Sequence, residues 1–131
     1  MKTESPGGIP PYQLTIQAHP AYLHARVTGA HTPENVMRFL QESYLACVER
    51  GLTALLLEMN FEGPSLESGR IFEVIQSRAA DATKLRRIAY VDLSPRIEER
   101  MKFAETVAVN RGANVRLFRD VASAKEWMAS P

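Results

Sequence analysis

The chain contains one cysteine, Cys47, among 131 residues. A lone thiol excludes an internal disulfide and a cysteine-based zinc site, so a reducing compartment is expected. Long apolar runs are missing too. The longest, residues 44–48, falls far short of a membrane span, and the opening MKTESPGGIPP has no apolar stretch of the kind a leader needs. The expectation is a cytoplasmic protein without membrane insertion. An excess of one charge is also absent: 16 Lys plus Arg face 15 Asp plus Glu, a net +1. Nucleic-acid affinity rests on many uncompensated cations facing phosphates, so no such partner is expected. Finally, no G-x-x-x-x-G-K, G-x-G-x-x-G or G-x-S-x-G pattern occurs, and no internal repeat or low-complexity tract. Nucleotide hydrolysis, dinucleotide binding and serine-esterase chemistry thereby lose their usual basis.

What remains is an ordinary globular composition, 45% apolar and 24% charged, in a chain long enough to bury a core unaided. Residues 1–11 hold three prolines and two glycines and are expected to form a disordered tail; residues 12–131 are expected to form one domain. Residues 12–17 alternate Tyr12, Leu14 and Ile16 with Gln13, Thr15 and Gln17, and residues 22–28 alternate Leu23, Ala25 and Val27 with Tyr22, His24 and Arg26. Each is a half-buried strand, and the short link predicts an antiparallel hairpin.

The period then changes. Thr32-Pro33-Glu34 is a helix start, with Thr32 as cap, Pro33 at the first helical position and Glu34 near the positive dipole end. The helix is expected to reach Arg50 and stop at Gly51, burying Val36, Met37, Leu40, Tyr44, Cys47 and Val48, with Phe39 and Leu45 on its flanks. Cys47 on that stripe reads as an inert buried thiol. Apolar strands come next at 54–59, 88–91 and 115–118, each leading into a helix: 68–80 with Ile71, Phe72 and Ile75 inward, 96–110 with Ile97, Met101, Ala104 and Ala108 inward, and 121–128 behind Asp120. The order ββαβαβαβα predicts an α/β fold with a single mixed, mainly parallel sheet of five strands and four helices.

Four stretches, HTPENVMRFLQ, LLLEMNFEGPSLESGRIFEV, RRIAYVD and NVRLFRDVASAKEWM, carry a resemblance to the SpoIIAA-like family of small bacterial proteins, within about 12–128. The layout likewise resembles the STAS domain of anti-sigma-factor antagonists. The resemblance implies a STAS-like fold and a regulatory, protein-binding role, and no common reaction. In the antagonists an Asp-Ser-Ser-Gly turn follows the third strand, and its first serine is phosphorylated. The matching segment here is Glu67-Ser68-Gly69. Glu67 takes the phosphorylated position, so the resemblance implies no kinase switch there. Ser65 and Ser68 are the nearby hydroxyls.

In parallel α/β sheets ligands sit beyond the carboxyl ends of the strands, where helix N-termini offer unpaired N–H groups. That rim is 29–32, 60–68, 92–95 and 119–120. Thr32, Ser94 and Asp120 read most simply as helix caps. Glu58 and Asp92 are a candidate pair of carboxylates on adjacent strands, and His31 with them a candidate metal set without recognisable spacing. Lys84, Arg86, Arg87, Arg96, Arg100 and Lys102 read as solvated surface charges. Gly63-Pro64 fixes a turn expected to project Phe61 and Leu66, unless they tuck into the core. No catalytic residue, metal or cofactor is expected. The expected binding set is His31, Thr32, Asn60, Phe61, Ser65, Leu66, Glu67, Ser68 and Asp92. It fits a non-catalytic module recognising a protein partner or its own copy, a homodimer; the alternative is a carrier or sensor of a small apolar or anionic ligand with 60–68 as its lid.

Overall fold

The computed structural model describes residues 11–93 and 98–130. The expected tail, Pro11 apart, lies outside the described residues, as do the cap at Ser94, the turn at Pro95 and the helix start at Arg96 and Ile97. The elements run β1 (Tyr12–Ala18), β2 (Leu23–Ala30), α1 (Pro33–Glu49), β3 (Ala54–Glu62), α2 (Ser68–Ala82), β4 (Arg87–Asp92), α3 (Glu98–Asn110), β5 (Val115–Phe118) and α4 (Val121–Ala129). The expected order is present. One five-stranded sheet holds the strands in chain order, with β1 antiparallel to β2 and every later pair parallel.

Consecutive right-handed crossovers that step one strand at a time leave their helices on one face of the sheet. Accordingly α1, α2 and α3 share a face, over a core of Leu23, Ala25, Val27, Phe39, Leu40, Leu55, Leu57, Phe61 and Ile88. The other face carries α4, whose Ala124 and Met128 pack on Ala54, Leu56, Ala89 and Val91. Arg87 ties α4 down, donating to the Trp127 carbonyl and, at 3.0 Å, to Ser130 Oγ. It is therefore a structural cation rather than one of a solvated cluster. Because α4 contacts β3, β4 and β5, the β1–β2 half of this face is left polar, with Gln13, Thr15, Gln17, Arg26 and Thr28 exposed.

Thr32 caps α1, its Oγ1 accepting the Asn35 N–H at 3.1 Å, and Asp120 caps α4 through the Ser123 N–H at 2.7 Å. Gly51 closes α1 with φ +69°. The buried stripe of α1 differs from the expected one. Asn35, Val36, Phe39, Leu40, Ser43, Tyr44 and Cys47 face inward, whereas Met37 and Val48 are exposed. Two buried polar residues broke the apolar pattern and rotated its apparent centre. Cys47 is fully buried, its Sγ 3.2 Å from the Leu52 carbonyl, and burial pushes the thiol up to about 11. On α2, Val74 and Ala82 are buried, while Phe72 lies outside under the Arg111 guanidinium, 5.3 Å from its ring centre.

Candidate functional site

The parallel strands β2, β3 and β4 end at one rim, where residues following β2 and β3, the end of β4 and the helices line a crevice. After β2, the His31 N–H donates to the Glu62 carbonyl at 2.7 Å and His31 Nδ1 lies 2.8 Å from the Pro64 carbonyl. Since a carbonyl only accepts, Nδ1 carries a proton. The ring also packs against Phe61, centroids 5.4 Å apart. From α3, Arg100 Nη1 donates to the Leu66 carbonyl at 3.2 Å and the Ser65 carbonyl at 3.5 Å. The segment between β3 and α2 is thus held at one end by His31 and at the other by Arg100.

Beneath that segment lies a crevice of about 50 Å³, lined by His31, Ser65, Asp92 and Arg100 together with apolar Val36, Met59, Leu66, Ile71, Tyr90 and Met101. A second apolar space, about 60 Å³, lies between the helices and the sheet and extends to Leu40, Tyr44, Leu57 and Ile88. Val36, Met59, Ile75, Tyr90 and Ala104 line both.

Of the expected binding residues, the crevice brings together His31, Ser65, Leu66 and Asp92. The others stand elsewhere. Thr32 is the α1 cap, and Glu67 and Ser68 are exposed where α2 begins, Glu67 making no side-chain cap bond. Asn60 and Phe61 are not in a loop, because β3 continues to Glu62. Residue alternation then sends Asn60 to the opposite face beside Arg26 and Glu58, and Phe61 into the core at 2% exposure. Arg100, whose sequence context reads as a surface charge, also lines the crevice; the one signal for it in the sequence is its neighbour Met101, expected to face inward.

The carboxylate pair does not form either. Glu58 is opposite Val91 and Asp92 opposite Met59, so the two side chains lie on opposite faces of the sheet. The set His31, Glu58 and Asp92 fails for the same reason, and among the described residues no three His, Cys, Asp or Glu side chains come together as a metal site.

Glu58 instead meets His24. Both are buried, with His24 Nε2 2.7 Å from Glu58 Oε1 and Arg26 Nε 3.4 Å from the same oxygen. Burial holds the His24 imidazole below its ordinary 6.5; the hydrogen bond and charge of Glu58 oppose this, and Lys125 and Arg26 reinforce it. A neutral ring donates to Glu58 through its Nε2–H tautomer. The folded state therefore disfavours the proton that an unfolded histidine binds near pH 6.5. Stability is expected to fall as pH drops below 6.5, levelling once folded His24 protonates. Urea denaturation between about pH 8 and 5 measures this, and His24→Gln should flatten that part of the profile. A variant with an unchanged profile would remove His24 as the source.

No family model matches the chain, and no curated protein matches it. Among solved structures it is similar to an uncharacterised protein of the DUF3478 family with a SpoIIAA-like fold from Shewanella loihica PV-4, with a TM-score of 0.55 and 13% identity, over 98% of this chain and 99% of that one. At that identity the likeness establishes the fold, and the fold is SpoIIAA-like. Among the described residues, no helix is long and apolar enough to cross a membrane.

Proposed function

We propose that this SpoIIAA-like chain is a non-catalytic regulatory module whose input is a small ligand held in the rim crevice. The supporting observation is the roofed crevice, where a mostly apolar wall meets four polar side chains, His31, Ser65, Asp92 and Arg100, under one segment clamped at both ends. A few convergent polar groups in an apolar pocket at the strand ends is the usual form of a small-molecule site. The two adjoining spaces, about 50 and 60 Å³, together fall short of the roughly 150 Å³ apolar cavity that holds benzene, so the ligand class is a molecule no larger than benzene, with one polar end toward the rim. Glu67, at the position of the antagonists' phosphorylated serine, favours a ligand over a phosphate as the input. Recognition of a protein partner has less support here, because Phe61, half of the apolar contact it would use, is core.

Native mass spectrometry of protein purified from its own host tests the reading. The expected result is a small adduct lost on denaturation and absent from Ala104→Leu, which fills the space shared by the two cavities. The complementary measurement is thermal denaturation against acids, amides and amines no larger than benzene. A binder at about 100 times its dissociation constant adds roughly 2.7 kcal/mol to the wild type and nothing to the variant. If the wild type carries no adduct and no compound separates it from Ala104→Leu, the crevice is a packing gap and the reading falls.

A further inference from the structure

The two edges of the sheet are unlike. β5 is four residues long, carries Arg116, and is flanked by α3 and α4. β1 has seven residues, YQLTIQA, without a charge, proline or glycine. Proteins protect sheet edges with short strands, charges, prolines or bulges, and β1 has none of these. Among the described residues its only strand partner is β2.

The ladder determines which backbone groups face outward. The Ala30 N–H donates to the Pro11 carbonyl and the His19 N–H to the Tyr22 carbonyl, continuing the register that pairs Tyr12 with Gly29 and Ala18 with Leu23. Hydrogen-bonded and non-hydrogen-bonded pairs alternate in an antiparallel ladder. The odd-numbered residues of β1 therefore turn their backbone to β2, and Tyr12, Leu14, Ile16 and Ala18 turn theirs outward.

We propose that two copies of the chain join through this edge, β1 antiparallel to β1, into one ten-stranded sheet with the two-fold axis at Thr15. This register uses the whole strand. Tyr12 pairs with the partner's Ala18, Leu14 with the partner's Ile16, Gln13 with the partner's Gln17, and Thr15 with itself. Four outward N–H groups from each copy meet four carbonyls of the other. The side-chain pairs match as well: Leu with Ile on the helix face, Gln with Gln and Thr with Thr on the polar face. The α1 helices do not obstruct it. Helix α1 contacts β1, β2 and β3, so it is centred near β2, and across the axis two copies stand about three strand spacings apart, roughly 14 Å. On the β1 flank of α1, Arg38 lies over the Tyr12 ring and Glu42 accepts the Tyr12 hydroxyl. A two-fold axis brings this cation and anion toward their opposites, and Arg38 Nη1 is buried without a hydrogen-bond partner among the described residues of its own chain. This surface is separate from the rim crevice.

Sedimentation velocity of the full chain across the micromolar range tests the proposal, with circular dichroism confirming the fold of each variant. The wild type should dimerise. Thr15→Lys, at an exposed position, sets like charges face to face on the axis and should raise the dissociation constant about tenfold or more. The double variant Gln13→Glu/Gln17→Lys sets opposite charges across the axis and should dimerise at least as well as the wild type. Hydrogen exchange supplies a second readout: the Leu14 and Ile16 amides should slow with rising concentration while the Thr15 amide does not. A wild type that stays monomeric at the highest concentration overturns the proposal, as does a dimer indifferent to Thr15→Lys or weakened by the charge-paired double variant.

Discussion

Gly29→Ala is expected to cost on the order of 4 kcal/mol, a large part of the roughly 5–15 kcal/mol that holds a domain folded. Gly29 adopts φ +135°, where an L side chain is strained by about 1–3 kcal/mol. Space is the second term. A Cβ there would stand 2.2 Å from the Pro11 carbonyl oxygen and 2.9 Å from Tyr12 Cα, both backbone atoms. The carbonyl is not free to withdraw, because it accepts the Ala30 N–H at 3.0 Å and Asn35 Nδ2 at 3.0 Å. Moving it breaks both bonds and leaves the buried Asn35 amide short of an acceptor, a loss of about 1 kcal/mol or more for each bond. Urea denaturation of the variant measures the cost. A difference from the wild type below about 1 kcal/mol would mean that the start of β1 yields easily, and the tight β1–β2–α1 junction would be wrong.

That junction also shows what the sequence carried and what it did not. Periodicity was enough for the order of elements, and cap chemistry was enough for Thr32 and Asp120, because both depend on residues within a few positions of each other. Gly29 read as the end of a strand. Its role comes from Pro11, eighteen positions earlier in the chain, which only the hairpin register brings to it. The same limit hid His24 and Glu58, which are 34 positions apart and meet because β2 and β3 run parallel with Arg26 beside Glu58. Pairing Glu58 with Asp92 was a register error of one residue. In a strand that is enough to move a side chain to the other face. At the rim, His31, Ser65, Leu66 and Asp92, which follow β2 and β3 or end β4, were legible as a group from the parallel βα pattern. Arg100 was not, since a charge on an exposed helix turn and a charge over a crevice have the same sequence.

Phe61→Ala is expected to lower the melting temperature by about 10–20 °C, through a loss of about 3–5 kcal/mol. The sequence around it, Asn60-Phe61-Glu62-Gly63-Pro64, is polar and turn-rich, which favours a loop with Phe61 on display. The ladder decides otherwise: Thr28 pairs with Asn60, Gly29 with Phe61 and Ala30 with Glu62, so β2 extends β3 three residues past Met59. On that extension Phe61 points to the helix face, 2% exposed, edge-on to Phe39 at 6.2 Å between centroids and under the His31 ring. Truncation leaves a cavity in the packed core beside Phe39 and His31, which such cores refill only in part. Leu66 is the contrast, half-exposed and lining the crevice, and Leu66→Ala should leave the melting temperature within a few degrees of the wild type while altering ligand retention. Thermal denaturation of both variants separates the two positions. Were Phe61→Ala to melt with the wild type, Phe61 would belong to the surface after all, and the apolar contact for a protein partner would be restored.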